Sequence, residues 1–390
     1  MRVLFVSALD FGSASSVGVA AKIMSQARAT EGLGHSVFVS KDYISETKIM
    51  TPSSGELVAT KSYLGAISRR RKYAFLRRWA LSNNIEAVVI RFDHLDGIFC
   101  AFAEALRSVG VVVAVELPTF PFERERDLRH KKLLQSHRYV QYAARRIFAH
   151  LENRRIRDAE AYLDFVISYL EDDEIWGVKN ITADNGIDLA EIPLKKPRKA
   201  DGSVRLLCVA KFAPHHGIDR LIRGLHNYEG ERDVTLTLAG RGAESTELER
   251  LVSELLLTDR VTFAGVIVGD GLDSLFDQSD IAIGSLGLHR IGISLSSTMK
   301  SREYCARGIP FAYSFPEKGF SGDEDFTLLL PTHEDPIDVA SIVDFYDVAA
   351  ADAETSRRMR EFAAERFDWQ VQMGAVFDAL ENAVRERADA

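Results

Sequence analysis

The sequence predicts an α/β chain built as two doubly wound parallel-sheet domains, and three observations carry that prediction. Short continuous apolar runs at residues 2–7, 87–91, 111–116 and 165–168 read as strands buried on both faces. Helical stretches and Gly- or Pro-bearing loops alternate with them, the order that generates parallel βαβ units. The pattern restarts at residues 204–210, just after the polar, Pro-bearing segment 193–202, where a linker belongs. At 390 residues the chain also exceeds what one core usually serves.

Composition narrows the function class. With 46% hydrophobic and 27% charged residues, the chain is of ordinary globular type. Its 49 Lys and Arg against 57 Asp and Glu give a net charge of -8, which argues against general nucleic-acid binding. Three cysteines, Cys100, Cys208 and Cys305, form no C-x-x-C pair, so a reduced compartment and no zinc site are expected. The N-terminus runs straight into a strand and no apolar run is long enough to span a bilayer, so the expected location is cytoplasmic. Two regions are locally basic: residues 61–78, which contain no acidic residue, and the set Arg124, Arg126, Arg129, Lys131, Lys132, Arg138, Arg145 and Arg146, with aromatic and aliphatic residues interleaved. They suit either an anionic membrane face carrying a lipid-linked acceptor, at the inner membrane surface, or a solvated face balanced by acidic neighbours.

In chain order, the first strand is followed by a Gly/Ser loop with Gly12 and Gly18 and a helical stretch at residues 19–29. Strand, glycine loop and helix form a potential diphosphate cradle; without a G-x-G-x-x-G fingerprint the glycines equally suit a plain turn. Arg91 and the segment Glu116-Leu117-Pro118-Thr119 sit at carboxyl ends of strands, where ligands of doubly wound sheets lie. Residues 165–182 read as a strand, an acidic helix start and a second strand, leading to the turn Asp184-Asn185-Gly186-Ile187-Asp188.

The second half is more pointed. The strand at 204–210 ends in Lys211 and is followed by His215-His216-Gly217. Further strands at 234–239, 261–266 and 280–286 lead to His289-Arg290 and then to Ser296-Ser297-Thr298-Met299-Lys300-Ser301-Arg302-Glu303. The last stretch is a helix with both ends marked, Ser/Thr caps at the start and Gly308 and Pro310 at the stop. Its N–H groups and Lys300 attract a phosphate, and Glu303, one turn on, can accept hydrogen bonds from paired sugar hydroxyls. The competing reading is a solvated ladder of Lys300, Glu303 and Arg307 at spacings of three and four.

Residues 300–310, K-S-R-E-Y-C-A-R-G-I-P, resemble the K-x-x-E-Y-x-A-x-G-x-P nucleotide-sugar signature of GT-B glycosyltransferases, especially the retaining group called family 4. Similar likenesses run along the chain: residues 116–122 resemble E-I-P-T-Y-P-Y segments of bacterial polysaccharide glycosyltransferases, residues 185–188 an N-G-I/V-D exit element, and residues 209–221 the V-G-R-L-x-P-E-K-G-I-D-x-L element. Residues 365–384 resemble the F-x-W helix that crosses back to the N-terminal domain.

The resemblance implies a GT-B fold of two Rossmann-like domains with an interdomain cleft: residues 1–196 on the acceptor side, 197–365 binding the nucleotide sugar, and 366–390 as the returning helix. It implies transfer of a sugar, with retention, from a nucleotide diphosphate sugar (a UDP-sugar first) to a glycan or lipid-linked acceptor in polysaccharide or glycoconjugate synthesis. Glu303 would hold the ribose; Lys300, Ser297, Thr298, Lys211, His216, His289, Arg290, Gly12 and Gly18 would surround the diphosphate and sugar; Val266 would border the base. Arg91, Glu116 and Thr119 would face the acceptor. Neither a metal nor another cofactor is expected, since no D-x-D follows a strand, and no catalytic base is assigned. If His216 is a phosphate clamp, diphosphate affinity should rise below roughly pH 6.5.

Two departures stand out. The group's first glutamate position carries Leu295, and its N-domain histidine has no counterpart. They keep open a non-catalytic GT-B subunit supporting a partner enzyme, and a nucleotide-sugar epimerase is the third alternative.

Overall fold

The computed structural model describes residues 1–13, 16–65, 68–117, 137–293 and 295–389. Its contacts divide the chain into two compact units, Met1–Asp184 with Trp369–Ala390, and Asn185–Asp368.

The first unit holds β1 (Arg2–Val6), β2 (Ser36–Tyr43), β3 (Glu46–Met50), β4 (Leu57–Ser62), β5 (Ala87–Arg91), β6 (Val112–Glu116), β7 (Phe165–Ser168), β8 (Glu174–Ile175) and β9 (Val178–Thr182). Among the described residues they form one sheet in the order β4-β3-β2-β1-β5-β6-β7-β9-β8. The middle is parallel. Both edges turn antiparallel, which the parallel-sheet reading did not contain. The reason is local: two-residue connections at residues 44–45 and 176–177 are too short for a crossover and can close only hairpins. At the second, Trp176 and Gly177 have φ of 59° and 71°, the backbone that a type I′ turn needs. This hairpin replaces the acidic helix start expected near residue 171. Asn180 Nδ2 ties the incoming segment down by donating to the Leu170 and Asp172 carbonyls at 3.1 and 2.8 Å.

Alternation along the central strands fills both faces. Leu4, Val6, Val88 and Ile90 face a core shared with α2 (Arg69–Ser82) and α3 (Gly97–Arg107), given α1 as Val17–Gly32. Val3, Phe5, Ala87 and Val89 face a second core, built with Ile23 and Ala27 of α1 and with Trp369, Met373, Val376, Phe377 and Leu380 of the C-terminal helix, Trp369–Asp389. A further helix, α4 (Tyr139–Ile156), buries little of itself beyond Ala149 and Glu152.

The second unit holds β10 (Val204–Val209), β11 (Val234–Ala239), β12 (Val261–Gly265), β13 (Ile281–Ile283), β14 (Phe311–Tyr313) and β15 (Thr327–Leu329). All pair in parallel, in the order β12-β11-β10-β13-β14-β15. Its helices are α5 (Ile218–Asn227), α6 (Ser245–Glu254), α7 (Asp270–Asp277), α8 (Met299–Arg307), α9 (Val339–Ala351) and α10 (Thr355–Phe367). The strand order reverses between β10 and β13, and ligands of open α/β sheets bind beyond such a reversal. The polar segment after the first sheet is fastened to this unit. Lys195 N donates to the Arg307 carbonyl and Lys196 N to Asp277, each at 2.8 Å, and Arg198 places its fork on Asp280 at 2.7 and 3.1 Å.

Two glycines give opposite expectations. Gly240, at the carboxyl end of β11, has φ of 142°, and a Cβ there would meet the Ala210 carbonyl oxygen at 1.8 Å. Gly240→Ala should therefore cost about 3 kcal/mol or more in urea unfolding. Gly374 lies inside the C-terminal helix with open space around its Cβ position. Gly374→Ala should stabilise by about 0.5–1 kcal/mol.

Candidate functional site

Helix α8 supplies the core of the site. Thr298 caps it with Oγ1 accepting from Ser301 N at 3.4 Å, and Gly308 ends it in the left-handed region at φ 66°. Tyr304, Cys305 and Ala306 are buried in the unit's core. Lys300, one turn before Tyr304, is half-buried, with Nζ 3.2 Å from His216 Nδ1. His216 Nδ1 is also 3.2 Å from Ser285 Oγ. Three segments thus meet where the strand order reverses: α8, the loop after β10 and the loop after β13. Gly217, at φ 61°, makes this approach possible, since a Cβ there would lie 2.8 Å from the Leu286 carbonyl carbon. Leu286 N donates to the His216 carbonyl at 3.0 Å and fixes the two loops together.

The electrostatics of the pair are unusual. Burial lowers the Lys300 pKa below the ordinary lysine value. Burial, then Lys300 and His215, hold His216 down to about 3. His216 is therefore neutral at physiological pH, and the expected rise of anion affinity just below pH 6.5 does not follow from this environment. Lys300 forms no ion pair with a carboxylate among the described residues. Buried charges are ordinarily paired, so a half-buried ammonium with no carboxylate partner is a candidate anion ligand.

The helix start itself is engaged. Glu317, only 3% exposed, accepts from Thr298 Oγ1 at 2.8 and 3.1 Å and from Thr298 N at 3.4 Å. A carboxylate on the positive end of the helix offsets part of the field that was expected to draw a phosphate. Burial raises the pKa of this carboxyl above the ordinary range. Ser297 turns its carbonyl to Asn185 Nδ2 at 3.1 Å, which brings the Asn185-Gly186-Ile187-Asp188 turn against the same loop. Of the expected phosphate contacts at this helix, Lys300 is thus the one with no carboxylate partner among the described residues.

Glu303 pairs with Arg307 Nε at 2.9 Å, and Arg307 reaches Asp273 at 2.7 Å. The charge-ladder reading thus holds for this pair and fails for Lys300, whose ammonium turns to His216. Glu303 keeps 31% of its side chain exposed, enough for a second set of hydrogen bonds. Arg290 is used differently from the expectation. It grips Asp219 at 2.8 and 2.9 Å and Glu334 at 2.6 Å, and reaches the Pro214 carbonyl at 2.9 Å. His289 Nε2 also contacts Glu334, at 2.5 Å. These two candidates turn to carboxylates, away from Lys300. Lys211 and Val266 are exposed beyond the ends of β10 and β12, and Leu295 is 60% exposed.

In the first unit, Gly12 N donates to Asp10 Oδ1 at 2.9 Å, and Gly18 lies in the first turn of α1. Glu116, 8% exposed, accepts from Arg91 at 2.9 Å and from Lys22 and Gln26, both at 3.1 Å. Burial works to raise its pKa, but the two cations outweigh it and hold the carboxyl at about 2. Arg91 and Glu116 therefore satisfy each other at the ends of β5 and β6. Thr119 lies outside the described residues, as do Arg124, Arg126, Arg129, Lys131 and Lys132. Glu317, Asp219 and Glu334 were not found from the sequence, and no local pattern around them signals their roles.

Residues 191–303 match the family model described as glycosyl transferases group 1. A glycosyltransferase from Rickettsia africae superposes with a TM-score of 0.62 at 11% identity, over 98% of each chain. HepE of Anabaena, solved in complex with UDP, gives 0.57 at 13% identity, over 98% of this chain and 100% of that one. The lipopolysaccharide outer core galactosyltransferase WaaB gives 0.53 at 14% identity, over 97% and 100%. Curated proteins give no match by sequence. The fold is GT-B, and the family match falls within the second unit, leaving out its C-terminal part.

Glu317 yields a signed pH prediction. Because its folded pKa lies above the unfolded one, the native state binds more protons than the unfolded state between the two, and stability falls as pH rises through that window. Glu317→Gln removes this term. The melting temperature of the variant relative to wild type should climb from pH 4.5 towards 7.5; a pH-independent difference would show that the carboxyl is ionised in the fold.

Proposed function

We propose that this glycosyltransferase of the GT-B fold moves a sugar from a nucleotide diphosphate sugar, a UDP-sugar first, to a hydroxyl of a glycan or lipid-linked acceptor, with retention. The observation that carries the reading is Lys300, an ammonium lacking a counterion where β10 and β13 diverge. A diphosphate supplies the missing charge, with neutral His216 and Ser285 as hydrogen-bond partners and Lys211 approaching from the end of β10. Glu303 takes the ribose hydroxyls, and Val266 borders the base. As the sugar leaves, negative charge grows on the diphosphate, and Lys300 stabilises it with a cation already in place. The leaving phosphate itself assists the incoming hydroxyl, so positioning and charge carry the rate, with neither a metal nor a side-chain base assigned.

The first unit takes the acceptor in this reading. Among the described residues no helix is long and apolar enough to cross a membrane. Helix α4 nevertheless exposes Tyr139, Val140, Ile147, Phe148 and Leu151 together with Arg145 and Arg146. That mixture supports peripheral contact with an anionic leaflet from the cytoplasmic side, where a lipid-linked precursor of a polysaccharide or glycoconjugate would be met. A second reading, a non-catalytic subunit that holds nucleotide or glycan for a partner enzyme, draws on the exposed Leu295.

Incubation with a panel of isotopically labelled nucleotide sugars separates the readings. Slow release of free sugar from one donor is expected of a transferase; binding without release would favour the subunit, and an isomerised donor would mark an epimerase.

Glu303→Gln should weaken nucleotide binding by about 1.5–3 kcal/mol, roughly ten- to a hundredfold, through loss of a charge-assisted bond to the ribose. Calorimetry with the ribonucleotide and its 2′,3′-dideoxy analogue checks this. An equal loss for both would remove Glu303 from the ribose.

A further inference from the structure

A cavity of about 240 Å³ opens in the first unit, lined by Asp10, Asp42, Tyr43, Arg69, Lys72 and Tyr73, with Ala8 and Ile44 at its margin. It lies past the carboxyl ends of β1 and β2, under the first turn of α2, and all its walls come from this one unit. We propose that it is a binding pocket for a single neutral sugar ring.

The chemistry of the lining carries this. Lys72, 3% exposed, donates to Asp42 and to the Ser7 carbonyl in two short hydrogen bonds. An ammonium has three donors, so one is left without an acceptor among the described residues. Arg69 adds a second: its Nε is buried without a partner, while its other nitrogens are held by the His94 carbonyl at 2.9 Å and near Asp93 and Asp96 at 3.6 and 3.4 Å. On the acceptor side, Asp42 receives Thr47 Oγ1 at 2.9 Å besides Lys72, and Asp10 is oriented by Gly12 N at 2.9 Å; both carboxylates keep spare lone pairs. A hydroxyl both donates and accepts, so a polyol satisfies both kinds of group at once.

Charge selects among polyols. Two carboxylates and two cations line the cavity, so its formal charge sums to zero, and an acidic sugar would face Asp10 and Asp42 at close range. Burial lowers the Lys72 pKa and raises that of Asp42, and each is the other's main counter-charge. Tyr43, Tyr73 and Ile44 supply apolar surface for the C–H face of a ring. The volume falls below the roughly 300–1,000 Å³ of sites for drug-sized ligands, the scale of one pyranose. A buried ion pair is weak evidence for stability, and a perturbed pair in a cavity is a mark of a binding site.

Its meaning as an acceptor pocket rests on the transferase reading above; the binding itself does not. The test uses the full chain and saturation-transfer NMR with methyl glucoside, galactoside and mannoside, beside glucose 6-phosphate. At least one methyl glycoside should bind and the phosphate more weakly. Lys72→Met combined with Asp42→Asn keeps a matched, uncharged pair and should weaken that binding about tenfold or more. Ala8→Leu narrows the mouth of the cavity without touching the pair and should weaken binding about tenfold or more, with an unchanged melting temperature. Absence of binding by all three glycosides, preference for the phosphate, or full binding in Ala8→Leu would each overturn the proposal. Sugar binding in a protein that releases no sugar from any donor would leave the pocket standing and the transferase reading fallen.

Discussion

The second unit turns on the close approach of Gly217 to Leu286. Only a residue without a side chain allows one loop's backbone to lie 2.8 Å, measured from its absent Cβ, from the carbonyl carbon of the other. From that contact follow the hydrogen bond that locks the loops, the seat of His216 beside Ser285, and the distance at which Lys300 meets His216 from α8. Parallel sheets leave a gap where strand order reverses; here the gap is closed by backbone and kept polar by three side chains.

Two buried glutamates show how the same group is tuned in opposite directions. Glu116 lies between two cations and stays charged far below the usual carboxylate range. Glu317 has hydroxyl and amide donors for company, and burial wins. The difference is the nature of the neighbours and not the depth of burial, which is similar for both. One is a fixed element of an ion-pair cluster; the other caps a helix start through hydroxyl and amide hydrogen bonds.

Much of this was legible in the chain. The capped helix around Lys300 and Glu303 could be read because caps, stops and spacing are local properties, and the strands because a buried parallel strand is a continuous apolar run. What escaped is what tertiary structure decides. Glu317 meets Thr298 from 19 positions away, across a strand and a turn. Arg290 is taken by Asp219 and Glu334, 71 and 44 positions off, so its charge in the sequence said nothing about where that charge would be spent. The edge hairpins escaped because their strands are short and polar, and Lys72 was counted in a basic surface run although the fold buries it against Asp42.

The C-terminal helix makes the first unit discontinuous in sequence, and this dictates an order of events during synthesis. Residues 185–368 form one compact unit on a continuous stretch of chain, and domains generally fold as units during synthesis. The unit that begins first cannot be finished until Trp369, Met373, Phe377 and Leu380 emerge, the final side chains of its second core. Until then β1, β5 and α1 wait with an apolar face uncovered. A segment made after the second unit thus closes the first, and any message or protease that removes residues 369–389 leaves a complete second unit attached to an unfinished first one.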